Sequence, residues 1–160
     1  MRTSRSNSQV VAIYAAILGS IYLIIGAVEF ITGLQDLLQL SATESFLGLP
    51  IDFFGGFSAF VIGATYLGGT LLWKEKVESL GFLLIATILS AVFGLLYLLI
   101  ACADGFGILL GTWEGGEWTW EWLTSGTAGT GILRPEIWLA IASIPMGYFV
   151  IKTTRREKVE

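Results

Sequence analysis

The chain has 160 residues, 54% of them apolar and only 14% charged, with a formal net charge of −4. Soluble domains carry about a quarter charged residues, so an ordinary water-soluble fold is excluded, and the net acidity repels nucleic acid. There is no histidine and only one cysteine, which excludes imidazole-ligated haem, the commonest zinc and copper sites, an internal disulfide and a paired-thiol redox centre.

A run of 18 or more apolar residues reads as a membrane span, and the chain contains four, at 10–34, 53–73, 80–103 and 135–151. The expected fold is an all-α integral membrane protein, a four-transmembrane-helix bundle forming one domain over residues 1–160. An outer loop over 104–134 joins helices three and four, and a tail over 152–160 follows.

The first span is too long for the apolar region of a cleavable signal and is expected to remain a helix. Ala12, Gly19, Gly26 and Gly33 recur in it every seven residues. Seven residues is close to two helical turns, so the four share one stripe, and a stripe of small residues lets helices approach closely in lipid. Glu29 lies on this stripe and is the only ionisable residue well inside a span. An intramembrane carboxylate reads by default as an ion path, a proton relay or a counter-charge. The bland alternative is snorkelling to the outer interface, or protonation with a hydrogen bond. No lysine or arginine lies within any span to pair with it.

The segment 35–52 is half apolar, and its leucines predict a helix that runs on or bends along the membrane surface. Asp52 precedes the second span and suits its N-cap. Gly56 and Gly63 continue the seven-residue spacing in span two. Span three has Ala86, Ser90 and Gly94 at spacing four, Cys102 as a small core residue, and Asp104-Gly105 as a helix stop. Tyr22, Tyr66 and Tyr97 inside the spans either supply hydroxyls to the bundle or serve as aromatic core filling, and the sequence supports the two equally.

The outer loop begins GFGILLGT, apolar enough to dip back into the bundle, and continues WEGGEWTWEW. Gly115-Gly116 between glutamates predicts a hairpin turn. Trp118, Trp120 and Trp122 then alternate along an extended segment, with Trp113 before the turn. Indole rings settle at the membrane–water boundary, so these four tryptophans are expected to anchor the loop there, to dock a partner or, third in rank, to wall a site for a cationic or sugar-like ligand. Span four follows Arg134-Pro135, with proline in the first helical turn. Arg134 and Glu136 at its start weaken its hydropathy, and Pro145 is its strong breaker.

Of the nine basic residues, Arg2, Arg5, Lys74, Lys76, Lys152, Arg155, Arg156 and Lys158 fall on one side and only Arg134 on the other. The positive-inside rule puts both termini in the cytoplasm and the tryptophan loop outside the cell membrane. No nucleotide-binding or nucleophile-elbow motif appears, so no enzyme, cofactor or resident metal is expected.

The leading expectation is a non-catalytic accessory subunit, with the lipid bilayer and other membrane-protein subunits or further copies of the chain as partners. The alternative is a small cation channel or transporter, in which Glu29 joins Asp36, Asp52 and Asp104 as an oxygen-ligand site. Gly19, Gly26, Gly33, Gly56 and Gly63 are assigned to helix packing.

Overall fold

A computed structural model describes residues 5–40, 51–74, 78–127 and 129–157. The described chain is helical: α1 spans Arg5–Leu37, α2 Phe53–Gly69, α3 Glu78–Trp113 and α4 Pro135–Glu157, with a short 3-10 extension of α2 at Thr70–Lys74. All four helices are long and apolar enough to cross a membrane. They pack as an up-and-down bundle in the cyclic order α1, α2, α3, α4, with α1 against α2 as the most extensive pairing. The two termini therefore share one end, here the terminal end, and the other is the loop end.

The outside of this bundle is apolar. Ile13, Ile17, Ile24 and Ile31 on α1 and Ile85, Ile88, Val92, Leu95 and Leu99 on α3 are all exposed. In water these faces would be costly at about 25 cal/mol per Å², and in lipid they are solvated by their like. The interior instead holds small and polar residues.

The α1–α2 seam shows why the seven-residue glycine spacing matters. A Cβ on Gly19 would stand 2.9 Å from the Gly63 carbonyl oxygen, and one on Gly26 would stand 2.7 Å from that of Gly56. A Cβ on Gly56 would fall 2.7 Å from the Glu29 carbonyl carbon, and one on Gly33 would meet the backbone of Phe53. The two stripes face each other, and the backbones touch because neither side carries a Cβ. Close backbone approach replaces the hydrophobic effect as the source of helix affinity here.

Helix ends follow local chemistry. Asp52 caps α2, its Oδ1 accepting from Gly55 N at 2.8 Å. The helix α1 stops at Leu37, where Gln39 adopts a left-handed φ of 53° and Leu40 N bonds Gln35 O at 3.0 Å. The helix thus runs on past the expected span end at Leu34 only as far as Leu37, and 41–50, the rest of the expected surface segment, lie outside the described residues.

The long loop departs from expectation. The helix α3 passes straight through Asp104-Gly105 and takes in the GFGILLGT segment, so the loop starts at Glu114 and not at Asp104. Gly115-Gly116 closes this helix: Gly115, with φ of 95°, bonds Thr112 O at 3.2 Å, and Gly116 bonds Gly111 O at 3.0 Å. That pair of bonds is a Schellman closure, and it consumes the glycines predicted to turn a hairpin. Among the described residues there is no strand, only an isolated bridge between Gly126 and Gly129. Cys102 points outward from the bundle and not into its core.

Candidate functional site

The seven-residue rhythm extends to buried polar residues on three of the four helices. Glu29 and Tyr22 on α1, Tyr97 and Ser90 on α3, and Glu136 and Ser143 on α4 are each seven apart. Seven residues is about 10 Å along a helix, so the pairs make two polar layers. The layer nearer the loop end holds Glu29, Tyr97, Glu136 and, from the α2 N-cap, Asp52.

The loop-end layer is organised by Arg134, whose side chain is 2% exposed. Its Nη2 donates to Asp52 Oδ2 at 2.5 Å and its Nε to Glu136 Oε2 at 3.1 Å. The guanidinium also lies 3.6 Å above the Tyr97 ring centroid, and the Tyr97 hydroxyl donates to Asp52 Oδ2 at 2.8 Å. Gly55 makes the room, since a Cβ there would lie 2.8 Å from Arg134 Nη2 and against the Tyr97 hydroxyl. Pro135 opens α4, so Arg134 is its cap residue and accepts from Ile137 N at 3.2 Å through its backbone.

The charges shape one another. Burial pushes the Asp52 carboxyl up, but the Gly55 N–H, the Tyr97 hydroxyl and Arg134 outweigh it and hold Asp52 below the ordinary carboxylate range. Burial disfavours the Arg134 charge, yet Glu136, Tyr97 and Asp52 together raise its proton affinity above the ordinary value.

Glu29 completes the layer differently. It is wholly buried and interacts electrostatically with Glu136, Arg134 and Asp52, yet neither of its carboxyl oxygens has a hydrogen-bond partner. Glu136 Oε1 is likewise buried and unpartnered. Three carboxyl groups thus share the layer with one guanidinium, and three carboxyl oxygens are buried there without a hydrogen-bond partner.

The second layer is a hydroxyl chain. The Tyr22 hydroxyl lies 2.6 Å from Ser90 Oγ, and Ser90 Oγ lies 3.0 Å from Ser143 Oγ. Toward the terminal end the axis turns apolar, with Ala15, Leu18, Ile62, Leu83, Met146 and Val150 each at most 3% exposed.

Of the four acids grouped from sequence, only Glu29 and Asp52 share the layer. Asp36 is exposed beyond the layer. Asp104 fastens the loop to α3, accepting from Thr127 N at 2.8 Å and from Thr127 Oγ1 at 2.6 Å. Among the described residues no group of three or more acids or cysteines is placed to hold a metal ion. Arg134, Glu136 and Tyr97 are the site residues that sequence reasoning missed. The available signal was Arg134 itself, the one base on a side carrying eight acids.

The tryptophans divide. Trp113 and Trp120 are well exposed and Trp118 is exposed at 39%, with the Trp118 and Trp120 rings packed edge to face at 5.3 Å. Trp122 instead lies on α3, where a Cβ on Gly105 would stand 2.9 Å from its ring.

The model of the MJ0565 integral membrane domain matches residues 5–153, through all four helices. The chain belongs to that family. A relative from Methanocaldococcus jannaschii, described as uncharacterized protein MJ0565, is 26% identical over 118 residues, covering 71% of this chain and 77% of the relative. No solved structure matches. The family description agrees with the four apolar helices and makes this a multi-pass protein of the lipid bilayer.

Proposed function

We propose that this MJ0565-family protein is a small non-catalytic carrier that binds a cation in the buried carboxyl layer at its loop end. The observation that carries the reading is Glu29, wholly buried with both oxygens unpartnered. A charge at that depth is costly, and such residues persist where they meet an ion or a proton. Because the polar layers end at an apolar plug, the arrangement favours a carrier over an open pore. Purified protein in liposomes should show cation flux that Glu29→Gln abolishes while leaving the bundle folded. Equal flux from the variant would remove Glu29 from the mechanism.

A second reading, an accessory subunit docked on larger membrane proteins, draws on the exposed rings of Trp113, Trp118 and Trp120. Aromatic residues of this kind dominate interface energetics. Purification from the native host in mild detergent tests it: partners at fixed stoichiometry, lost when these three become alanine, support it. Under either reading, both termini lie in the cytoplasm and the loop end lies outside the cell membrane, on the strength of the eight-to-one bias of basic residues toward the terminal side. Labelling of Thr127→Cys by an impermeant reagent in a Cys102→Ser background checks that orientation.

A further inference from the structure

We propose that Glu29 and Glu136 hold one proton between them, making the loop-end layer a proton site. The proposal deepens the carrier reading, on which its consequence for transport rests, by naming the cation.

Geometry and charge carry the argument. Asp52 is saturated by Gly55, Tyr97 and Arg134, and Glu136 Oε2 takes the Arg134 Nε bond. What remains is both oxygens of Glu29 and Oε1 of Glu136, all buried and without a hydrogen-bond partner. Glu29 interacts with the Glu136 side chain; two ionised carboxylates present only acceptors to each other, and burial makes two like charges at one site unfavourable. One proton turns an acceptor into a donor, removes a buried charge and links two of the orphaned oxygens.

The groups facing Glu29 from each packed element are consistent with that count. The α2 N-cap contributes Asp52, the segment before α4 contributes Arg134 and α4 contributes Glu136. From α3 comes Tyr97, whose hydroxyl donates to Asp52, and one layer down Tyr22 shares a hydrogen bond with Ser90. With Asp52, Glu136 and Glu29 ionised against Arg134, two negative charges would stand uncompensated in the interior. A hard metal cation prefers six or more oxygen ligands, and no described acid group is placed to supply even three. The proton needs only the pair. The hydroxyl chain of Tyr22, Ser90 and Ser143 lies one layer below the pair and can both donate and accept.

Infrared difference spectroscopy of the full chain in lipid nanodiscs, titrated with pH, tests the site directly. The expected result is a protonated-carboxyl C=O band that disappears as pH rises. Glu29→Gln loses this band, while Glu121→Gln, at an exposed side chain, retains it. A wild-type protein without the band overturns the proposal, as does a band that survives Glu29→Gln. Should Glu29→Gln not fold, Glu136→Gln decides: a moved titration midpoint supports the pair and an unmoved one overturns it. A band displaced by sodium or potassium at fixed pH reassigns the site to a metal cation and also overturns it. Proton flux in liposomes is scored separately. A Glu29 band without flux removes the carrier reading and leaves the proton site standing.

Discussion

Arg134 Nη2 lies 2.5 Å from Asp52 Oδ2, although the two residues are 82 apart in the chain. The bond joins the start of α4 to the N-cap of α2 and closes the loop end of the bundle. The same guanidinium bonds Glu136 and covers the ring of Tyr97. One side chain therefore ties three helices together around the layer that contains Glu29.

Removing that side chain leaves two carboxyls without their cation. Arg134→Gln should destabilise the bundle by about 3–5 kcal/mol, the usual cost of breaking a buried pair from one side. Arg134→Lys should recover only part of this, because an ammonium cannot bond two carboxylates through a planar fork and stack on Tyr97 at once. Thermal unfolding in detergent measures both, and a fully stable Arg134→Gln protein would contradict the role given to the ion pair.

Acid should loosen the same corner. Asp52 is held below the ordinary carboxylate range in the folded protein, so its stabilising contribution is complete above about pH 4, the unfolded value. It is lost as pH falls through the lower folded value. Arg134 shifts upward, so its contribution is complete below the ordinary arginine value and is lost only as strong alkali passes the raised folded one. Melting temperature against pH should fall on the acid side for the wild type and fall less for Asp52→Asn. Parallel acid limbs would mean that other carboxyls dominate.

The glycine seam predicts opposite outcomes for one substitution type. Gly26→Ala places a methyl against the backbones of Gly56, Ala59 and Phe60 and should cost about 1–3 kcal/mol, as overpacking does. Gly81→Ala meets nothing within 4 Å and should be neutral or stabilise by up to about 1 kcal/mol through helix propensity. Unfolding titrations of the two variants compare them directly, and equal effects would show that the α1–α2 approach is looser than described.

The tryptophans should separate into two classes. Trp122 packs on α3 with a buried, unpartnered indole N–H. Trp122→Phe should therefore be tolerated, since it keeps a ring and removes an unsatisfied donor. Trp122→Ala should cost about 1–2 kcal/mol in lost apolar burial. Alanine at the more exposed Trp113, Trp118 and Trp120 should leave unfolding unchanged and alter membrane anchoring or partner recovery instead. Loss of stability in that triple variant would place those rings in the fold.

Membrane residence and the number of spans were readable from composition alone, because a run of apolar side chains long enough to cross a bilayer has few other uses. The glycine spacing likewise identified the α1 and α2 stripes, since helical periodicity puts such residues on one face wherever the helix sits. Glu29 stood out because any charge inside a span must be explained. Its surroundings could not be read this way. Arg134 looked like a loop residue that weakened a span, and Tyr97 read equally as core filling or as a hydroxyl with no partner named. Gly115-Gly116 looked like a hairpin turn, because glycine with positive φ serves turns and helix closures equally. Local pattern specifies which residues are buried or turned, but not which elements meet. Only tertiary packing brought the N-cap of α2, the cap of α4 and one turn of α1 to the same depth. There, Arg134 took Asp52 and Glu136 as partners and left both oxygens of Glu29 buried without one.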